Sequence, residues 1–388
     1  MYGSTGFGVR LPLLLAGVLL ACLFSLALAQ RAEAFVHWTN QATGTIGRAN
    51  NDGTGVDQAF ISGASSPTAV DVKGKYIYWA SNGSSTIGRA KLDGTEVDQS
   101  FITGARGPIH GLDASSDSIF WVADTMTNNG YIWQADIDGT NARVLYEDTT
   151  GWDGAQGLAV YGDYIYFTSH GWAPDAYDHW WEMWGVYHIK FNKDGYIWGS
   201  VNTVVGLGRQ WRTGVLAGDT YVYWLDEGGI CRATHPLWLL EECIVPAADA
   251  PGAGQDLAMY DKWLYWTVPG GGIGRVKKDD TESQADFITG CSQPYGIDAD
   301  GGHVATVGHL SLVAGRRGSL VTITGRHFGA RRGAGVVRFG RAVVGRYLRW
   351  SDHRIVVAVP KTAPLGRVKL AVRTKYGASE ARSFSVRP

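Results

Sequence analysis

Six short apolar runs, each with an aromatic residue near its end, recur between residues 35 and 268. Successive aromatics are 41, 42, 46, 57 and 42 residues apart, and they are Trp38, Trp79, Trp121, Phe167, Trp224 and Trp266. Runs of this length, rich in β-branched and aromatic residues, predict β-strands. A period of about forty residues built from short strands is typical of a β-propeller.

The first two repeats are nearly identical, since residues 45–64 match residues 86–105 at 15 of 20 positions without a gap. In every repeat after the first, an innermost strand such as residues 67–72 precedes the aromatic strand, and two further strands follow. Asp-Gly pairs at residues 52–53, 93–94 and 138–139 predict tight turns between those two strands, because both residues accept a positive φ. Each repeat is therefore predicted to be a four-stranded sheet. Its aromatic ring is buried only by stacking on the next sheet, a contribution of roughly 1.5–3 kcal/mol.

The ends of the repeat region predict how the ring closes. The first repeat begins at its aromatic strand and lacks an innermost strand, whereas residues 294–300 form an extra innermost strand after the last repeat. We expect residues 294–300 to complete the first blade, which leaves no open sheet edge. The predicted fold is all-β, with a six-bladed β-propeller over residues 35–302.

Over residues 35–300 the repeats resemble the six-bladed YWTD propellers of the low-density lipoprotein receptor class. The likeness is weakest at the acidic position of the motif, two residues after the aromatic, where the chain has Asn40, Ser81, Ala123, Ser169, Asp226 and Val268. Only one repeat of six keeps the acid, so the resemblance implies the architecture more than receptor biology. The recurrent Ile-Gly-Arg of residues 46–48, 87–89 and 273–275 also resembles virginiamycin B lyase repeats, a family with seven blades.

The N-terminus has the pattern of a secretory leader. Residues 11–29 are apolar throughout and follow Arg10; they end in one small-residue cleavage site, residues 27–29, and a second follows at residues 32–34. Residues 1–34 are therefore predicted to be a signal peptide, and the protein is expected to be secreted or held at the cell surface. An uncleaved membrane anchor and lipidation at Cys22 remain alternatives.

Three cysteines follow the leader, in a chain expected to meet an oxidising compartment. Cys231 and Cys243 fall on predicted neighbouring strands of one blade, so one hypothesis is a cross-strand disulfide. The other is that these two residues and Cys291 are buried thiols.

Charge divides the chain in two. Residues 35–302 contain 16 Lys and Arg against 33 Asp and Glu, a balance of −17, whereas residues 303–388 contain 17 against 2, a balance of +15. A change of net charge of this size at the end of the repeats predicts a second domain over residues 303–388.

This second domain consists of short alternating strands separated by Gly turns, a pattern that predicts a small β-sandwich. It resembles the IPT/TIG immunoglobulin-like domain at residues 322–325, 328–329, 339–340, 350–352, 360 and 364–366. Its positive charge suits an anionic cell-wall polymer, acidic lipid or acidic glycan. The leader argues against nucleic acid. Docking on the acidic propeller, or a genomic bias toward arginine, would also account for the charge.

The start of each innermost strand faces the central funnel of a propeller. Aligning these strands places six residues around one mouth: Thr68, His110, Gln156, Thr213, Gln255 and Tyr295. This ring contains no carboxylate, whereas a hard cation needs several oxygen ligands, and Asp153 and Asp256 are too few. We therefore expect no metal, cofactor or catalytic residue, with His110 as a general base being the alternative.

The fourth repeat is the longest because residues 170–186, predicted to form a loop after the aromatic strand, are rich in aromatics. Flat aromatic surface beside polar groups suits a sugar ring or an apolar peptide, although the same tryptophans would also fill a widened blade. The candidate ligand-binding residues are Trp152, Asp153, Trp172, Tyr177, Trp180, Trp181, Trp184, Trp211 and Arg212.

These features favour a monomeric, non-catalytic binding protein whose propeller recognises an extracellular glycan or protein through an aromatic face. Two other classes remain open. One is an enzyme acting in the funnel, either a lyase like the virginiamycin family or a lactonase-type hydrolase. The other is a structural module of the cell surface.

Overall fold

In the computed structural model every regular element of the described residues is a β-strand. The structure describes residues 34–388 except residues 106, 116, 125–129, 148–151, 175–179, 192–196, 209–211, 219–220, 227–228, 235–240, 247–253, 269, 280, 301–304, 327, 330–331, 334, 352, 375–376 and 380. Over these described ranges, no helix has the length and apolar character needed to cross a bilayer.

Residues 35–300 form six four-stranded antiparallel sheets, named blades 1 to 6. Blade 1 contains β1 (Phe35–Asn40), β2 (Thr45–Asn50) and β3 (Asp57–Ser62). Blade 2 contains β4 (Pro67–Lys73), β5 (Tyr76–Ser81), β6 (Thr86–Lys91) and β7 (Asp98–Ile102). Blade 3 contains β8 (Ile109–Ala114), β9 (Ser118–Asp124), β10 (Gly130–Asp136) and β11 (Arg143–Glu147).

The second half of the ring follows the same order. Blade 4 contains β12 (Trp152–Tyr161), β13 (Tyr164–Pro174), β14 (Trp180–Phe191) and β15 (Ile197–Gly208). Blade 5 contains β16 (Arg212–Ala217), β17 (Tyr221–Asp226), β18 (Gly229–Thr234) and β19 (Glu241–Pro246). Blade 6 contains β20 (Leu257–Tyr260), β21 (Trp263–Val268), β22 (Gly272–Lys277) and β23 (Ser283–Thr289), and β24 (Pro294–Asp300) follows it.

Blade 1 takes strands from both ends of the repeat region. β24 is its innermost strand and pairs antiparallel with β1, placing Ile297 opposite Trp38 and Asp298 opposite His37. Each innermost strand also contacts that of the next blade, from β24 through β4, β8, β12, β16 and β20 and back to β24. The predicted fold class is confirmed, because the all-β ring of blades closes through the segment expected to close it.

The marker aromatics are buried, and three of them explain the glycine of the Ile-Gly-Arg sequence. These pairs are Trp38 with Gly47, Trp79 with Gly88, and Trp266 with Gly274. The indole covers the opposite glycine so closely that a Cβ built on Gly88 would lie 2.2 Å from the ring of Trp79. In blades 3 and 4 the residue opposite the marker aromatic is itself aromatic, and the two rings stack, in the pairs Trp121 with Trp133 and Phe167 with Tyr187.

The arginine at this position of a blade hydrogen-bonds to the backbone of the next blade. Arg275 lies between the rings of Trp263 and Phe287, with its Cζ 4.2 and 3.9 Å from their centroids. Its Nη1 donates a 3.0 Å hydrogen bond to the carbonyl oxygen of Asn51 in blade 1, so this contact crosses the point where the ring closes. Equivalent bonds join Arg48 to Leu92 and Arg232 to Lys278.

Residues from 305 onward form a sandwich of two sheets. The first sheet has the strand order β25 (Thr306–Leu310), β27 (Leu320–Arg326), β31 (Arg354–Ala358) and β30 (Tyr347–Trp350). The second has the order β26 (Ala314–Arg316), β34 (Arg382–Arg387), β32 (Gly366–Thr374), β28 (Val336–Phe339) and β29 (Ala342–Val343), with β33 (Gly377–Ala378) paired to β32. Alternate residues from both sheets fill the core, including Val321, Ile323, Phe339, Leu370 and Phe384.

One aromatic contact joins the sandwich to the propeller. The ring of His353, in the turn before β31, lies 6.2 Å from the ring of Tyr161, at the turn between β12 and β13. This turn is at the opposite end of blade 4 from the loop between its second and third strands. The His353 end of the sandwich is therefore its propeller-facing end.

Candidate binding site at the ring mouth

Strand register brings the six predicted funnel residues to equivalent positions. Each lies two residues before the innermost-strand partner of its marker aromatic, as Leu112 is for Trp121 and Ile297 for Trp38. We call the end of the ring where the innermost strands begin the ring mouth. Because the strands are antiparallel, the connections between the second and third strands of every blade lie at this same end.

Two of the six side chains hold the ring together. Thr68 and Thr213 are buried, and each hydroxyl donates a 2.6 Å hydrogen bond to a backbone carbonyl of the following blade, at Ile109 and Gly254 respectively. The other four residues are half-buried: His110, Gln156, Gln255 and Tyr295. Four of the six predicted residues therefore line the mouth where it faces solvent.

A histidine and a carboxylate form a pair at the mouth of blade 3. His110 Nε2 lies 2.8 Å from Asp124 Oδ2, and the two side chains are 16% and 23% exposed. Among the described residues, the remaining polar atoms of the pair, His110 Nδ1 and Asp124 Oδ1, are buried and have no hydrogen-bond partner. The six aligned residues include no carboxylate, but Asp124, at the end of the second strand, brings one to the mouth beside the start of the innermost strand.

Three further acids join neighbouring innermost strands. The carboxylates of Asp71, Asp113 and Asp298 accept hydrogen bonds of 2.7, 2.8 and 3.0 Å from the backbone N–H of Ala114, Val160 and Val72. The inner edge of an innermost strand has no further strand to bond, so these side chains satisfy donors that sheet pairing leaves open. These acids therefore have a structural role.

Asp256 occupies a position where four of the other blades have glycine. Its Oδ1 and Oδ2 accept hydrogen bonds from the backbone N–H of Leu257 and Ile297, at 2.8 and 3.0 Å. Burial nevertheless raises the pKa of Asp256 to about 7, and the charge of Asp113 adds to the rise. This carboxyl therefore exchanges its proton near neutral pH.

Tyr295 shares the same electrostatic environment. Burial, with a smaller contribution from the nearby charges of Asp256 and Asp124, raises the pKa of its phenol to about 12. The phenol thus stays a neutral hydrogen-bond donor at physiological pH. His110, Asp256 and Tyr295 thus supply hydrogen-bond acceptors, a phenol donor and a titratable carboxyl at the ring mouth. Polar ligand sites have this composition.

Blade 5 also has a pair of basic and acidic side chains at the mouth end of its strands, but this pair is buried. Arg212 Nε lies 3.9 Å from Asp226 Oδ2, with side-chain exposures of 6% and 3%. Asp226 also accepts a 3.3 Å hydrogen bond from Trp224 Nε1. Arg212, predicted to contact ligand on an exposed face, therefore lies inside the blade.

Blade 5 also contains a disulfide between Cys231 and Cys243, which are directly opposite on β18 and β19. Within the described part of the chain, one group of three His, Cys, Asp or Glu side chains has its ligand atoms within 4.8 Å of one another: Asp226, Cys231 and Cys243. Both sulfurs belong to the disulfide, so this group does not have the thiolates that a metal would need. Cys291 is buried, and burial raises the pKa of its thiol to about 11.

The insertion in blade 4 is a hairpin, where the sequence predicted a loop. β13 and β14 are 11 and 12 residues long, compared with 6 for β1 and β2. They stay paired without a break from Tyr164 opposite Lys190 to Pro174 opposite Trp180. The pairing of β12 reaches Gly171 and that of β15 reaches Trp184, so beyond these residues β13 and β14 continue as a two-stranded hairpin.

The candidate aromatic residues lie mainly on this hairpin. For Trp152, Asp153, Trp172, Trp180, Trp181 and Trp184 the structure describes the backbone but not the side chain, while Tyr177 and Trp211 lie outside the described residues. Trp172 is opposite Glu182 and Trp184 is opposite His170. Alternation along a strand therefore puts positions 172, 180 and 184 on one face of the hairpin and position 181 on the other.

The shared face is turned toward blade 5. Tyr166 and Val186 occupy the same face nearer the body of blade 4, and both pack against Val215 and Trp224 of blade 5. Phe167, on the opposite face, packs with blade 3. Positions 172, 180 and 184 therefore continue this face beyond the body of the blade, on the side where blade 5 begins.

The chain thus has two parts, a β-propeller with a polar mouth and an immunoglobulin-like sandwich. The family model of the IPT/TIG domain matches residues 310–386, so the C-terminal part is an IPT/TIG domain. A segment of 75 residues is 36% identical to the cyclomaltodextrin glucanotransferase of Geobacillus stearothermophilus, covering 19% of this chain and 10% of that enzyme. The chain therefore spans about a tenth of that relative.

Solved structures similar to the chain are distant in sequence. TolB from Acinetobacter baumannii is 15% identical with a TM-score of 0.47, and the match covers 74% of this chain and 72% of TolB. A functionally unknown protein from Desulfotomaculum acetoxidans is 10% identical with a TM-score of 0.46, covering 69% of this chain and 98% of that one. BamB from Moraxella catarrhalis is 14% identical with a TM-score of 0.35, covering 62% and 80%.

Proposed function

We propose that the protein is a secreted or cell-surface binding protein, not an enzyme, whose propeller recognises a glycan or protein at the ring mouth. The extended hairpin of blade 4 carries this proposal. It lengthens two strands of one blade well beyond their counterparts, and it brings four tryptophan positions to the mouth end. Rigid aromatic side chains lose little entropy on binding and dominate interface energetics.

The hairpin face that continues toward blade 5 is the proposed recognition surface. Positions 172, 180 and 184 share it, and the polar mouth residues His110, Asp124, Gln156 and Tyr295 supply hydrogen-bonding groups at the same end of the ring. Aromatic planes beside amide and carboxylate groups match the alternating apolar and hydroxyl faces of sugars, and also the side chains of an extended peptide.

The test is binding of the chain from residue 35 onward to glycan and peptide arrays, followed by affinity measurement on each hit. Trp172→Ala and Trp180→Ala should each weaken binding at least about tenfold, since interface tryptophans commonly contribute above 1.4 kcal/mol. Trp181→Ala is the matched control, because it alters the adjacent position on the opposite face. Full binding by the double variant of Trp172 and Trp180 would refute the assigned surface.

A second candidate function is catalysis in the funnel, and the pair of His110 with Asp124 favours it. A carboxylate 2.8 Å from Nε2 orients the imidazole, as an acid partner does for a histidine that transfers protons. A turnover assay against lactones and acyl esters separates the two functions. Activity lost in His110→Asn, and reduced in Asp124→Asn, would favour the enzyme.

Two further proposals rest on the sequence. The architecture suggests kinship with the YWTD propellers, and with it a role in recognition or, as a third candidate, in cell-surface assembly. The positive charge of residues 303–388 suggests attraction to an anionic polymer of the cell envelope. Retention of the protein on cell-wall fractions that does not fall as salt rises would contradict this second proposal.

A further inference from the structure

We propose that the end of the IPT/TIG domain that points away from the propeller docks on an anionic lipid bilayer. We call this surface the distal end, and it is formed by residues 311–320, residues 359–367 and the last residue of β34. Exposed aliphatic side chains and cations lie together there, with the aliphatic residues on loops and strand termini.

Exposed aliphatic residues are concentrated on this domain. Of the nine large hydrophobic side chains that are exposed in the described part of the chain, six belong to residues 305–388. Four of these six are at the distal end: Leu312, Val313, Leu320 and Leu365, with exposures of 42%, 71%, 51% and 54%. Single exposed aliphatics are ordinary on a soluble domain, but a group of four at one end indicates a binding surface.

Backbone contacts bring these segments together. Arg316 pairs with Arg387, and Gly366 pairs with Val386 on the other side of β34. The N–H of Ser385 donates to the carbonyl of Val313 at 2.9 Å. Arg317, in the turn that joins β26 to β27, donates to the carbonyl of Ala363 from Nε and Nη2 at 3.0 and 2.8 Å.

Five exposed cations surround the aliphatic residues: Arg316, Arg317, Lys361, Arg367 and Arg387. The two acids of residues 303–388, Asp352 and Glu380, fall in neither of the distal segments nor at the end of β34. The distal end therefore has positive charge and apolar side chains together. An anionic bilayer complements both, with phosphate groups for the cations and an acyl region for the aliphatics.

The orientation of the domain leaves this surface accessible. His353, which faces Tyr161 of the propeller, adjoins the end of β31 where Arg354 pairs with Thr324. Leu320 pairs with Ala358 at the other end of the same ladder, which is about 13 Å away at 3.3 Å per residue. The propeller-facing and distal ends are thus opposite ends of one sheet.

A bilayer fits better than a soluble anionic polymer. A polymer would neutralise the five cations but would leave the four aliphatic side chains in water, so it accounts for only half of the surface. Insertion of short aliphatic loops beside basic residues is a known physical mode of peripheral membrane binding, and it requires both contributions.

The test is co-sedimentation of the chain from residue 35 onward with vesicles of phosphatidylcholine alone and with about 30% phosphatidylglycerol. We expect binding to the anionic vesicles and little to the neutral ones. Arg316→Gln with Arg387→Gln should reduce the partition coefficient about fivefold for each charge removed. Val313→Asp with Leu365→Asp should reduce it at least about tenfold, because both insertion and charge attraction are weakened.

The matched control is Val343→Asp. Val343 is 44% exposed on β29, at the opposite edge of the same sheet from β26, so this change adds one negative charge away from the distal end, as each single change at Val313 or Leu365 adds one at it. Its partition coefficient should fall far less than that of the paired change at Val313 and Leu365. Failure to bind anionic vesicles would overturn the proposal. Aspartate variants at Val313 and Leu365 that bind no more weakly than Val343→Asp would also overturn it, and would favour a soluble polymer.

Discussion

The contact between each marker tryptophan and the opposite glycine gives the sharpest stability prediction. In Gly88→Ala the new Cβ would lie 2.2 Å from Cε2 of Trp79, whereas ordinary van der Waals contact begins at about 3.4 Å. Trp79 is 0% exposed, so its ring has no free space to move into. Overpacking of this kind typically costs about 1–3 kcal/mol, and sometimes more.

The backbone offsets a little of this cost. Replacing glycine by alanine in a strand recovers roughly 0.5–1 kcal/mol of conformational entropy. We therefore expect Gly88→Ala to lower the free energy of unfolding by about 1–2 kcal/mol, the overpacking cost less the entropy gain, measured by urea denaturation followed by tryptophan fluorescence. Gly47→Ala and Gly274→Ala should behave alike, because their Cβ atoms would lie 2.3 and 2.2 Å from Trp38 and Trp266.

Gly272→Ala is the matched control on the same strand as Gly274. The nearest atom to its Cβ would be the carbonyl oxygen of Ile288 at 3.2 Å, a contact that a small backbone shift relieves. Its effect should be within about 1 kcal/mol of zero. If the three tryptophan-facing glycines tolerated alanine as well as Gly272 does, the packing described for the blades would be refuted.

Two further predictions test the closure of the ring and its titration. Arg275→Lys should lower the free energy of unfolding by about 2 kcal/mol, because lysine keeps the charge but loses the flat contact with two rings and the hydrogen bond to Asn51. Urea denaturation measures this, and an unchanged midpoint would contradict it. The fold raises the pKa of Asp256 to about 7, above the unfolded value of about 3.9, so the folded state binds more protons between these two pH values. The free energy of unfolding should therefore fall by up to about 4 kcal/mol as pH rises from about 4 to about 7. In Asp256→Ala that slope should shrink, and an unaltered slope would assign it to other groups.

The repeat period, the order of strands and the closing strand were predictable from sequence because each depends on local pattern. The period-2 runs and Asp-Gly turns define the strands, and the missing first strand identifies residues 294–300 as its replacement. The pairing of Trp38 with Ile297 confirms this. The IPT/TIG domain was predictable for a similar reason, since its turn residues are distinctive.

The chemistry of the mouth depended on contacts that no single repeat displays. Asp124 lies one residue beyond the position compared between repeats, and its partner His110 is on another strand of the sheet. The hydrogen bonds from Ala114 to Asp71 and from Val160 to Asp113 run between blades, so only their spatial arrangement reveals that these acids are structural. Similarly, the burial of Arg212 follows from Asp226 being opposite it, which the alignment of innermost strands alone does not show.

Hydrogen exchange across the point where the ring closes tests the closed propeller most directly. Ile297 is 3% exposed and packs with Trp38, more than 250 residues away in the sequence. In Ile297→Asp, exchange followed by mass spectrometry should accelerate in residues 35–50 as well as in 294–300, while residues 109–124 in blade 3 keep their protection. Acceleration confined to residues 294–300 would show that the first blade does not depend on this strand and would contradict the closed ring.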